Sequence, residues 1–150
     1  MPLTDFKFCH RTRVRYGEVD QQGVVFNARY LDYGDIGITE YWRAVGFRFT
    51  DADAMEFHVA RAEVDFKKPI YPDEQLAIWV RTERIGNSSM TVLIELHGAA
   101  AGADGDDMRA IIREVQVHVD LATHRPIAIP DAVKARFVEF DARDGVLVTG

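Results

Sequence analysis

The stretch from Arg13 to Gly46 constrains the fold of this chain more than any other. From Ala28 onward its residues fall at helical spacing. Leu31, Gly34, Ile38, Tyr41, Trp42 and Val45 lie near one face at i, i+3, i+4 and i+7 steps. Gly46 is a natural stop. Two glycines, Gly34 and Gly37, sit inside this helix. Each costs about 1 kcal/mol relative to alanine in a helix interior, so each needs a reason. Three residues apart, they share a side and let another part of the fold come close. With Ile36 and Ile38 beside them, several sides of the helix are small or apolar. Such a helix is wrapped by other structure and does not ride on a surface.

The residues ahead of the helix carry chemistry. Thr12, Val14 and Tyr16 alternate with Arg13, Arg15 and Gly17, the period of a strand. Asp20-Gln21-Gln22-Gly23 fits a type I turn, with Asp first and Gly fourth. Val24, Val25 and Phe26 form a short apolar run, and Asn27 is the expected N-cap. A carboxylate therefore stands on a turn seven residues before a helix start. Acyl chemistry needs both parts: a base or nucleophile, and free backbone N–H groups that polarise a carbonyl.

Past the helix the pattern is mostly that of strands. His58 to Phe66 alternates, and Lys67-Lys68-Pro69 and Pro72-Asp73 punctuate it. Leu76, Ile78 and Val80 alternate with Ala77, Trp79 and Arg81. Gly86-Asn87-Ser88-Ser89 reads as a turn before the run from Met90 to Leu96. Ala100 to Asp107 reads as a hairpin tip, and Arg109 to Asp120 as a long strand. Pro130 to Phe140 predicts a short terminal helix, with the last ten residues loose. The expected class is α+β: one domain over residues 1–150, a long central helix wrapped by about five antiparallel strands. Long strands with an open edge invite pairing with a second copy.

Bulk properties exclude several functions. A net charge of -6 argues against a nucleic-acid binder. No apolar run approaches the ~20 residues of a membrane span, and Met1 to His10 lacks the pattern of a signal peptide. Cys9 is the only cysteine, which fits a cytoplasmic location and forbids an internal disulfide. His10, His58, His97, His118 and His124 show no metal-ligand spacing. No G-x-S-x-G elbow or P-loop is present. Neither a metal nor a cofactor is expected.

The string from Tyr16 to Asn27 resembles the signature of the hotdog-fold acyl-CoA thioesterases, the 4-hydroxybenzoyl-CoA thioesterase type and its short-chain relatives. Arg61 to Phe66, Pro69 to Leu76 and Arg113 to Asp120 extend the resemblance, in order, over roughly residues 8 to 140. It implies that Asp20 attacks the thioester carbonyl or activates a water that does. It implies that the N–H of Asn27 meets the developing oxyanion. Many acyl-CoA members carry His at that position and the aryl-CoA type carries Tyr, so Asn27 keeps the backbone role without an imidazole. Glu18, two residues before Asp20, would share its strand face and could raise a neighbouring pKa. The substrate contacts implied are Gly23, Val24, Phe26, Tyr30, Lys67, Arg84, Ser88 and Ser89, with Lys68 and Arg81 as further basic candidates for the anionic coenzyme A. The family builds its site between two joined protomers, so a homodimer or homotetramer is expected. The aromatics Tyr30, Tyr33, Tyr41, Trp42 and Phe57 suit either pocket walls or core. Two other readings stay open. One is a module that binds acyl-CoA without cleaving it. The other is a hotdog hydratase or dehydratase, which needs a catalytic His, and none lies between Thr12 and Phe57.

Overall fold

The structure is a computed structural model and describes residues 3–47, 55–99 and 107–150. Strands β1 (Phe8–Arg13), β2 (Glu56–Phe66), β3 (Gln75–Ile85), β4 (Ser89–Gly98), β5 (Met108–Val119) and β6 (Leu147–Thr149) make one sheet in the order β2-β5-β4-β3-β1-β6. All neighbours are antiparallel except β6, which runs parallel to β1. Helices α1 (Arg29–Val45) and α2 (Asp131–Asp141) pack on one face. The fold is the expected α+β hotdog, with six strands where five were expected.

The extra strand is β6, drawn from the tail expected to be loose. Its Thr149 hydroxyl bonds His10 at 2.7 Å. A second difference lies before the helix. The strand expected over Thr12 to Gly17 is displaced: β1 ends at Arg13, and Tyr16–Glu18 form a 3-10 turn. Alternation continued through these residues, but the Glu18 side chain caps the Arg15 N–H and bends the chain away. The hairpin tip expected over 100–107 lies outside the described residues, except for Asp107.

Alternation sends residues to opposite faces of the sheet. Leu76, Ile78 and Val80 of β3 join Met90, Val92, Ile94 and Leu96 of β4 beneath α1. Ala77, Trp79 and Leu93 meet Phe6 and Cys9 on the other face. The buried side of α1 is Tyr30, Tyr33, Gly34, Gly37, Ile38, Tyr41 and Trp42. Leu31, placed on that side from its spacing, is instead 39% exposed. The aromatics are core: Tyr41, fully buried, meets Phe8, Phe137 and Phe140 at ring distances of 5.7, 5.8 and 5.7 Å. Burying an apolar side chain of this size is worth about 1.5–3 kcal/mol. The Tyr41 phenol donates to the half-buried Asp141 carboxylate of α2 at 2.9 Å, fastening the two helices. Gly46 closes α1 with a left-handed φ of 112°, the conformation a helix stop of this type requires.

Candidate active site

The segment between β1 and α1 folds as a small hairpin. Val19 bridges Val25, and the Asp20 N–H donates to the Val24 carbonyl at 2.9 Å. The Gly23 N–H returns to the Asp20 carbonyl at 3.1 Å, the bond of the expected turn. Gly23 has φ 79°, so the turn closes with a residue in the left-handed region. The Asp20 Oδ1 accepts the Gln22 N–H at 2.8 Å. That bond orients the carboxylate, and no donor among the described residues takes Oδ2.

Asn27 does not cap the helix. The N-cap is Ala28, and no side chain caps it. The first amides to find carbonyls are those of Arg29, on Phe26, and Tyr30, on Asn27. The N–H groups of Asn27 and Ala28 have no partner among the described residues. These are the unsatisfied donors of a helix start, where the helix dipole favours negative charge.

An open cavity of about 490 Å³ is lined by Asp20, Gln21, Gln22, Val24, Val25, Phe26 and Asn27. A second, of about 460 Å³, adjoins it through Asp20 and Gln21 and adds Tyr16, Val19 and Pro72. Of the expected site residues, Asp20, Val24, Phe26 and Asn27 thus meet on one cavity, with Gly23 in the turn beside them. Tyr30 is buried beneath, edge-on to Phe66 at 4.8 Å, and Lys67 follows Phe66 at the exposed end of β2. Arg84, Ser88 and Ser89 lie elsewhere, at the β3–β4 hairpin. The ten steps from Gln75 to Ile85 separate the two ends of the sheet by about 33 Å at the usual strand rise.

Glu18 does not share a strand face with Asp20. It lies in the 3-10 turn, where its carboxylate accepts the Tyr33 hydroxyl at 2.9 Å and the Arg15 N–H at 2.7 Å. Burial and the Glu18 hydrogen bond both push the Tyr33 phenol up, so it stays protonated and donates. Glu18 is a fastener between turn and helix. Burial likewise pushes the Cys9 thiol up to about 12, which leaves it protonated and no nucleophile at neutral pH. Lys68 is engaged by Asp107 at 3.5 Å.

Two contributors were not among the expected site residues. Tyr16, read from its alternation as part of a strand, is 98% exposed and lines a cavity with Asp20. Arg109, only 8% exposed along its side chain, is locked to Glu74 at 2.7 and 2.9 Å and to Asp107 at 2.8 and 3.1 Å. Those hydrogen bonds hold the Glu74 and Asp107 carboxyls below their usual values. A lowered carboxyl stabilises the fold above its unfolded pKa and loses that contribution as pH falls through the folded one. Burial raises Glu114 and Asp141, which act with the opposite sign. The urea midpoint should therefore show an acid limb from this lock, setting in below the usual Glu value of 4.5. Glu74→Gln should flatten that limb; an unchanged limb would dissociate it from Arg109.

Solved thioesterases share the frame that carries Asp20 and the helix start. A thioesterase from Thermus thermophilus, solved as a complex with coenzyme A and Zn, is 27% identical with a TM-score of 0.79, the match covering 93% of this chain and 97% of that one. Slr0204 from Synechocystis, a 1,4-dihydroxy-2-naphthoyl-CoA thioesterase, has a TM-score of 0.78 over 91% of this chain and 98% of its own. At 14% identity it shows the fold alone. The acyl-CoA thioesterase YbgC of Haemophilus influenzae is 30% identical over 139 residues, 90% of this chain and 97% of YbgC. The chain also matches YsmA of Bacillus subtilis at 28% identity, over 60% of that protein's length. The profile of the thioesterase-like superfamily matches residues 14–137, and the chain belongs to that family. It is a thioester hydrolase by class.

Proposed function

We propose that the protein hydrolyses an acyl-CoA or aryl-CoA thioester to the free acid and coenzyme A. One observation supports this most: Asp20 and Asn27, whose N–H has no partner among the described residues, line the same cavity. The carbonyl oxygen would sit at the helix start, where the Asn27 N–H and the dipole stabilise the oxyanion. Asp20 acts in one of two ways. As a nucleophile it forms a mixed anhydride that water then opens. As a general base it draws a proton from an attacking water. Both release a thiolate, a good leaving group, so neither needs a strong acid. None of the five histidines lines either cavity, which disfavours the hydratase reading. Release of free thiol from a panel of short, long, branched and aryl CoA thioesters tests the proposal. An intact panel after incubation with folded protein would leave only a binding module.

The reaction as proposed uses no metal or cofactor. Among the described residues no group of His, Cys, Asp and Glu could hold a metal ion. Turnover should survive a strong chelator; loss of activity restored by zinc would contradict this. No helix among the described residues is long and apolar enough to cross a membrane. A single buried thiol suits the cytoplasm proposed for the protein.

We further propose a homodimer, or a pair of dimers, joined at β2. Among the described residues this eleven-residue strand pairs only with β5, and its Val59 and Phe66 are 55% and 53% exposed. The opposite edge is covered by β6. A two-fold axis pairs β2 with its copy antiparallel. The Phe66 end lies with Tyr30, beside the Asp20 cavity, while the Glu56 end lies with Val119, near the β3–β4 hairpin. Antiparallel pairing thus carries one protomer's Arg84, Ser88 and Ser89 toward the other's Asp20. Light scattering at micromolar concentration should return at least a dimer. Mixing Asp20→Asn with Arg84→Ala subunits should recover part of the turnover, because one hybrid site regains both native residues. A stable monomer, or no recovery on mixing, would count against the arrangement.

A further inference from the structure

We propose that Arg109 positions the Asp20 site by clamping the segment from Pro69 to Glu74. What is positioned rests on the thioesterase reading above; the clamp stands on hydrogen bonds alone. The loop bearing Asp20 runs between two stems, Val14 and Val25. The Val14 N–H donates to the Glu74 carbonyl at 2.8 Å, and the Val25 N–H to the Ile70 carbonyl at 2.8 Å. Both acceptors belong to one six-residue stretch lying outside the strands. Its conformation is unusual, with Asp73 at φ 64°. It needs an outside hold.

Arg109 supplies that hold at both ends of the stretch. Nη1 donates to the Pro69 carbonyl at 2.8 Å and to Glu74 Oε2 at 2.7 Å. Nη2 donates to Glu74 Oε1 at 2.9 Å. Asp107 takes Nε at 3.1 Å and Nη2 at 2.8 Å, which accounts for all five guanidinium donors. The Arg109 carbonyl accepts the Lys67 N–H at 2.8 Å and the Lys68 N–H at 3.2 Å. Glu74 Oε2 also accepts the Tyr71 N–H at 2.8 Å, tightening the stretch from within. Pro72 of the same stretch lines a cavity with Asp20. The loop bearing the carboxylate is thus held at both stems by one segment, and one arginine holds that segment. A planar fork can do this and an ammonium cannot.

Arg109→Lys and Glu74→Gln test the clamp by two readouts. Amide exchange at Val14 and Val25 should quicken by about tenfold or more in both variants, with Ile78 and Ile94 in the β3–β4 ladder as protected as in wild type. The kcat per folded molecule should fall about 10–100-fold, the scale of a misplacement near 1 Å, with KM little changed. In an Asp20→Asn background, Arg109→Lys should add almost nothing to the loss in kcat, because both act on one step. A purely structural arginine would lower all protection together and leave kcat per folded molecule intact, and that result would overturn the proposal. Unchanged protection at Val14 and Val25 would overturn it as well. If Arg109→Lys does not fold, Glu74→Gln decides alone. If wild type cleaves no CoA thioester, the thioesterase reading fails, while the exchange comparison still judges the clamp.

Discussion

Asp20→Asn should abolish most turnover while leaving the fold and substrate binding intact. Loss of a general base typically costs about 10²–10⁴ in rate, and loss of a nucleophile at least as much. The decrease should fall on kcat, because Asn is nearly isosteric and removes only the charge. Local geometry makes this substitution unusually clean. The Asp20 side chain is oriented by one bond, from the Gln22 N–H to Oδ1. An amide oxygen accepts the same bond, and the turn is closed by backbone bonds to Val24 and Gly23 that do not involve the side chain. Asn also suits the first position of this turn. Glu18→Gln should do less to kcat, since Glu18 fastens Tyr33 and Arg15 and does not line either cavity. Near-normal turnover by well-folded Asp20→Asn protein would refute the proposed mechanism.

The second large effect concerns the glycines of α1, which should respond in opposite directions to the same methyl group. A Cβ on Gly37 would stand 2.5 Å from Ile78 Cγ2 and 3.0 Å from Val80 Cγ2. Both partners are fully buried, β-branched side chains of β3, stiff at χ1, so they cannot swing aside. Overpacking of this kind costs about 1–3 kcal/mol, which exceeds the ~1 kcal/mol that alanine returns in helix propensity. At Gly34 the nearest atoms, Ile112 Cδ1 and Ile94 Cδ1, would lie at 3.5 Å, an ordinary contact. Gly34→Ala should therefore be neutral or gain up to about 1 kcal/mol. Urea unfolding of the two variants checks this. A Gly37→Ala protein at least as stable as wild type would mean that α1 does not seat against β3 as described.

Periodicity and turn chemistry account for what the residues determined by themselves. Both are local, involving neighbours within a few positions. The alternation of Leu76, Ile78 and Val80 put these side chains beneath α1, and the paired glycines announced the sheet that covers the helix. Asp20 to Gly23 specified a turn, and a bonded turn is there. The thioesterase signature singled out the stretch that lines the cavity before any coordinates were needed.

Tertiary contacts decided the rest. Alternation through Tyr16 could not reveal that Glu18 would fold back onto Arg15 and reach Tyr33, fifteen residues on. A three-residue tail strand has too little pattern to be visible, and β6 exists only because β1 offers it an edge. Arg109 and Glu74 lie 35 residues apart, with no motif joining them. Nor could spacing show that Arg84, Ser88 and Ser89 stand at the far end of β3 from Asp20. Local sequence sets dihedral preferences and which face is apolar. Which distant groups meet depends on the register of the strands and on the path of the connections, and those are chosen by the packing of the whole domain.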